Sequence, residues 1–174
     1  NKTLSSLYFG GGTPSILSVD EIQSLIDEVL KFFDFDRNIE ITLEANPDDL
    51  DKNFLKDLSK TEINRLSIGT QSFFEEDLRL MNRAHNAGQA EDSIKRAQDF
   101  GFENLSIDLI YGSPTSNFEI WKENLQKTIE LQVPHVSSYA LTIEPKTALN
   151  AWIKKNKISK PEESTQNKEF YYLS

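Results

Sequence analysis

Gly10-Gly11-Gly12-Thr13-Pro14 is the run best suited to chemistry, because three successive residues without a Cβ let backbone N–H groups approach a ligand closely. It departs from the dinucleotide pattern G-x-G-x-x-G, and from a P-loop, which needs Lys-Ser/Thr after its last glycine. Taken alone, it reads equally well as a tight turn between a strand and a helix. Glu44, Gln71 and Asp108 add to it. Each stands at or just past the end of a short alternating run, on that run's polar side. A lone carboxylate in such a place ordinarily caps a helix or joins a salt bridge. Three polar side chains on one rim beside a glycine loop suit a small polar ligand instead. They offer partners for ribose hydroxyls, an amino group and an adenine edge. The set does not demand a paired-carboxylate glycosidase, since a ligand cage explains it as well.

Five β-like runs must carry these residues, at positions 4–9, 39–44, 65–69, 104–110 and about 135–141. Helical patterns separate them. Ser18 and Glu21 form a capping-box pair. Val19, Ile22, Leu25, Ile26, Val29, Leu30 and Phe33 then recur at three- and four-residue spacing, which predicts an amphipathic helix reaching Phe33. Further helices are expected around Leu55, over about 75–81, over 89–100 with Gly101 as the stop, and around Trp121. Residues 146–174 read as two helical pieces parted by Pro161.

This alternation implies parallel strands joined by right-handed crossovers. Ile39, Ile41 and Leu43 oppose Glu40, Thr42 and Glu44; Leu66 and Ile68 oppose Arg65, Ser67, Gly69 and Gln71; Leu105, Ile107 and Leu109 oppose Ser106 and Asp108. Val136 and Ala140 oppose Ser137 and Tyr139 less cleanly. One apolar and one polar face per strand predicts an α/β fold, a partial parallel (β/α) barrel with a ligand-bearing lumen. A doubly wound sheet, whose central strands are apolar on both faces, is the alternative.

The 174 residues suffice for one domain with a sizeable core, and 37% of them are hydrophobic at a mean hydropathy of −0.51. A net charge of −9 without a basic cluster argues against nucleic acid as a partner. No apolar run approaches the roughly 18–20 residues that span a bilayer, and a cytoplasmic location is expected. There is no cysteine, so neither a disulfide nor a thiolate metal site can form within the chain.

The run Tyr8-Phe9-Gly10-Gly11-Gly12-Thr13-Pro14-Ser15 is followed in order by Glu44-Ala45-Asn46-Pro47, by Asn64-Arg65-Leu66-Ser67-Ile68-Gly69-Thr70-Gln71-Ser72-Phe73, and by Ile107-Asp108-Leu109-Ile110-Tyr111-Gly112. Together these resemble the radical SAM domain of the oxygen-independent coproporphyrinogen III oxidase family, over most of the chain. The segment Ser137-Ser138-Tyr139-Ala140-Leu141-Thr142-Ile143-Glu144-Pro145 is closer to that family's heme-chaperone members. The resemblance implies S-adenosylmethionine contacts at Gly11, Gly12, Thr13, Glu44, Gln71, Arg83 and Asp108. Thr142 aligns with a further contact at which the family's residue type differs. By itself Arg83 reads as a solvated mid-helix arginine, and only the resemblance lifts it. Implied chemistry is hydrogen abstraction by a 5′-deoxyadenosyl radical, in which protein side chains bind and orient the cofactor. No catalytic acid, base or metal ligand is therefore assigned.

The family holds a 4Fe-4S cluster with Cys-x-x-x-Cys-x-x-Cys upstream of its glycine loop, after a tyrosine, and neither feature occurs in this chain. Ser113 stands where the family commonly has leucine. The expectation is five of six strands over residues 1–145, and a helical extension over 146–174 leading toward a further C-terminal region. Two functions follow from the resemblance: oxidative decarboxylation of a porphyrinogen in heme biosynthesis, placed first, and a heme chaperone that delivers heme to target proteins. Met81, His85, His135 and Tyr139 are the local candidates for heme ligation. Alone, the chain is expected to be inactive, to bind no cluster and to self-associate through an open strand edge at residues 4–9.

Overall fold

The computed structural model describes residues 2–115 and 117–173; Ser174, the end of the expected extension, lies outside them. Strands β1 (Lys2–Phe9), β2 (Phe33–Ala45), β3 (Arg65–Gln71), β4 (Asn104–Tyr111) and β5 (His135–Ala140) lie side by side in sequence order. Every neighbouring pair is parallel, as crossover helices require. The helices are α1 (Val19–Leu30), α2 (Lys52–Leu58), α3 (Glu75–Leu80), α4 (Ala87–Asp99), α5 (Phe118–Glu130), α6 (Ala148–Lys154) and α7 (Glu163–Leu173). This is a half-barrel, with β1 and β5 as its two edges.

The alternation within each strand decides the layering. Ile41, Leu43, Leu66, Ile68, Leu105, Ile107 and Leu109 are fully buried against Ile22 and Ile26 of α1, Leu55 and Leu58 of α2, Ile94 and Ala97 of α4, and Trp121 of α5. Each large aliphatic side chain removed from water contributes about 1.5–3 kcal/mol, so this outer layer fixes the strand register. The opposite face is polar and carries Thr42, Ser67 and Ser106. Glu44 pairs with Ser67, Ser67 with Ser106, and Ser106 with His135, which sets one polar row across the sheet.

One helix boundary differs from expectation. Helix α1 keeps its Ser18–Glu21 capping box but ends at Leu30, and Phe33 opens β2. Phe33 and Phe35 alternate with Asp34 and Asp36, a two-residue period that lets Phe33–Phe35 pair with Lys2–Leu4. The register then jumps, so that Ser6 meets Glu40, and the intervening Asp36-Arg37-Asn38-Ile39 bulges out. Smaller shifts occur elsewhere: Asn86 and Gln89 form a capping box that starts α4 at Ala87, and β3 runs on to Gln71.

Helix α7 folds back onto the loop after β4. The buried Glu169 carboxylate accepts the Gly112 N–H at 2.6 Å, Trp121 Nε1–H donates to the Glu169 carbonyl at 3.1 Å, and Gln166 donates to the Leu141 carbonyl at 2.9 Å. Burial pushes the Glu169 carboxyl above its ordinary range, against the Gly112 hydrogen bond, and its second oxygen has no partner.

Candidate functional site

The β1 loop and the β2 loop are built as one unit. Pro14 opens a 3-10 turn, Pro14–Ile16, and the buried Ser15 hydroxyl donates to Asp49 Oδ2 at 2.5 Å while accepting the Asn46 N–H at 3.1 Å. Gly11 and Gly12 have φ of 83° and 74°, a left-handed backbone that costs other residues about 1–2 kcal/mol each. This turn aims the Gly11 N–H at Glu44 Oε2, 3.0 Å away. Tyr8 donates to the other oxygen of the same carboxylate at 2.9 Å.

Beside it lies a cavity of about 180 Å³, lined by Gly12, Thr13, Glu44, Gln71, Arg83 and Asp108 among others. Six of the eight expected site residues thus meet at the C-terminal rim of the strands. Gly11 adjoins them through Glu44. Thr142 does not line that cavity; it lines a second one of about 550 Å³, more apolar in its walls, with Leu80, Met81, Ile110, Leu141 and Leu149. Gln71 and Arg83 belong to both, so the two spaces join along one seam.

Local backbone geometry explains how Gln71 and Arg83 reach the seam. Gln71 has φ of 65°, where the β3–β4 register shifts, and the chain turns there out of the ladder. Arg83 is not mid-helix. Helix α3 ends at Leu80, Asn82 takes the left-handed conformation at φ 53°, and the Asn82 and Arg83 N–H groups donate back to the Arg79 and Leu78 carbonyls. This is a Schellman cap, and it swings Arg83 off the helix. Its Nη2 donates to Asn46 Oδ1 at 2.7 Å and to the Gly69 carbonyl at 3.4 Å, while its buried Nε–H is left without a partner.

Asn46, Ser67 and Gly69 also line the first cavity and were not singled out from the sequence as site residues. Asn46 sits two residues after Glu44, within a motif already conspicuous, and Ser67 and Gly69 lie on the polar face of β3. Strand alternation alone could have found all three.

The electrostatics are those of a desolvated acidic seat lined by the Arg83 guanidinium. Burial raises the Asp108 carboxyl above its usual range, and the nearby Glu44 charge adds to that, against a Ser137 hydrogen bond, Arg65 and His135. Burial likewise lowers the Arg83 guanidinium pKa from its ordinary value, against the pull of Asp48. Tyr8 is raised by burial first and by Glu44 second, so it stays a protonated donor.

The heme-ligand candidates separate. His85 is 3% exposed, with Nε2 against the Thr70 carbonyl at 3.1 Å, and lines neither cavity. His135 lies at the first residue of β5 with Nδ1 on Ser106 Oγ at 2.7 Å, away from the rim. Tyr139 is exposed, and Met81 lines the second cavity.

A parallel half-barrel with a glycine loop, two carboxylates, a glutamine and a capped arginine around one rim cavity defines a βα-barrel protein with a candidate ligand site. The radical SAM superfamily matches residues 1–130, and the chain belongs to that superfamily. It is 41% identical over 146 residues to the heme chaperone HemW of Haemophilus influenzae, covering 84% of this chain and 38% of that protein. To HemW of Bacillus subtilis it is 34% identical over 171 residues, covering 98% and 45%. Among solved structures, coproporphyrinogen III oxidase HemN from Escherichia coli, a radical SAM enzyme, superposes at a TM-score of 0.84 with 29% identity, covering 98% of this chain and 39% of that one. The chain therefore spans less than half the length of these relatives. The names carried by these sequence relatives favour the heme-chaperone expectation over the oxidative-decarboxylation one.

Proposed function

We propose that the chain forms the S-adenosylmethionine seat of a radical SAM protein of the heme-chaperone kind. The observation that carries it is the convergence of Gly12, Thr13, Glu44, Gln71, Arg83 and Asp108 on one cavity. Those donors fit the cofactor. Left-handed glycines leave open space where side chains would stand, carboxylates suit hydroxyls and an ammonium, and the buried Arg83 Nε–H lacks a partner. Bound there, S-adenosylmethionine supplies an adenosyl group for reaction. The chain's own residues bind and orient it: Glu44 and Asp108 as acceptors, Gln71 as a two-way amide, Arg83 as a donor held in place by Asn46. Thr142 and Met81 border the second cavity, where a larger apolar ligand such as heme or a porphyrin would lie against the seam.

A 4Fe-4S cluster does not fit the residues present, because the chain has no cysteine. Three measurements test the proposal. Isothermal titration of the chain with S-adenosylmethionine should give saturable one-site binding, and absence of heat at millimolar ligand would remove the seat. Heme titration and anaerobic turnover of coproporphyrinogen III, run on a longer form of the protein, should show stoichiometric heme retention without decarboxylation. Turnover would return the oxidase reading.

A further inference from the structure

We propose that Tyr8 is a positioning residue that locks Glu44 in the orientation the cofactor site uses, and that Gly10 is glycine to make room for that lock. The inference rests on the S-adenosylmethionine reading and goes beyond it, since Tyr8 does not line the cavity itself.

Both carboxylate oxygens of Glu44 are engaged before any ligand arrives. Oε1 takes the Tyr8 hydroxyl at 2.9 Å and Oε2 takes the Gly11 N–H at 3.0 Å. Hydrogen bonds to an ionised acceptor are the stronger kind, and two on separate oxygens fix the rotation of the carboxylate plane. The link therefore runs from Tyr8 on β1 through Glu44 on β2 to the glycine loop. Each carboxylate oxygen retains acceptor capacity for a ligand group.

Gly10 supplies the second observation. A Cβ built there would lie 2.6 Å from Tyr8 Cε1 and 3.0 Å from Glu44 Cδ. Gly11 and Gly12 are required by their positive φ, but Gly10 has no such φ. Its missing side chain instead lets the Tyr8 ring lie over the loop with its hydroxyl on Glu44. The triple glycine thus divides into two left-handed positions and one clearance position.

Without Tyr8, one end of the Glu44 carboxylate is free, and the ligand must order it on binding. Loss of one pre-ordered rotamer-rich side chain predicts about fivefold weaker binding. The test uses Tyr8→Phe, which keeps the ring and removes only the hydroxyl. In the free chain, Gly11 amide hydrogen exchange should accelerate in Tyr8→Phe and in Gly10→Ala, with exchange in the β4 core unchanged. By calorimetry, Tyr8→Phe should weaken S-adenosylmethionine binding about fivefold, and should change nothing further in a Glu44→Ala background. Unaltered Gly11 exchange in Tyr8→Phe overturns the lock. An equal loss of affinity with and without Glu44 also overturns it, since Tyr8 would then act elsewhere. Wild-type chain that binds no S-adenosylmethionine, yet shows Gly11 exchange controlled by Tyr8, defeats the cofactor reading and leaves a lock without that ligand.

Discussion

Asp108 and Arg83 show how a side chain's type can be legible while its state is not. From sequence, Asp108 is a carboxylate at a strand end. In the fold, burial and then the Glu44 charge raise its pKa, which favours the protonated form. A carboxyl raised in this way contributes stability that is fully present below the ordinary carboxylate range. That contribution is lost as pH rises through the higher folded value. Asp108→Asn is therefore expected to flatten the acid-side pH dependence of thermal stability and raise the neutral-pH melting temperature of the free chain. The same change should weaken S-adenosylmethionine binding, because an acceptor becomes a mixed donor; thermal melts across pH and calorimetry check the two halves. Arg83→Lys keeps the charge but cannot reach Asn46 and Gly69 with a planar fork. About tenfold weaker binding is expected by calorimetry, with little change in melting temperature.

At the scale of elements, caps and close approaches place the functional groups. The Schellman cap after α3 turns Arg83 toward β2 and β3, so Asn82 matters although it touches no ligand group described above. Asn82→Val should cost about 1–2 kcal/mol in urea unfolding, from the left-handed backbone alone, and Asn82→Gly should be nearly neutral. Helix α7 depends on Gly112, whose φ is 76° and where an added methyl would overlap the Gln166 side chain. Gly112→Ala should loosen α7 and speed proteolysis between α6 and α7, read by mass spectrometry of early fragments. The helical pattern that carried α1 on to Phe33 misled because Phe33 satisfies both periods, standing three residues after Leu30 and two before Phe35. Pairing with β1, a partner far in sequence, decided for the strand.

At the scale of the molecule, the sheet has two edges, and β1 is one of them. Parallel strands of a half-barrel leave unpaired N–H and C=O groups along such an edge, which pair readily with another chain. Concentration-dependent self-association is expected by sedimentation velocity, and a monomer throughout the micromolar range would count against an accessible edge. Among the described residues no helix is long and apolar enough to cross a membrane.

The sequence by itself determined the strand–helix alternation, the polar inner face and the rim positions of Glu44, Gln71 and Asp108. These follow from periodicity and from where apolar runs stop, and both are local. It also determined that no thiolate cluster can be held within these residues, because that depends only on composition. Tertiary structure alone decided that Arg83 meets Asn46 and Gly69, that Thr142 belongs to the second cavity, and that His85 is buried. It also decided that Tyr8 and Gly10 serve the glycine loop through Glu44. Each of those depends on a distance between segments 14 to 71 residues apart, which strand register and helix packing set and which no local pattern encodes.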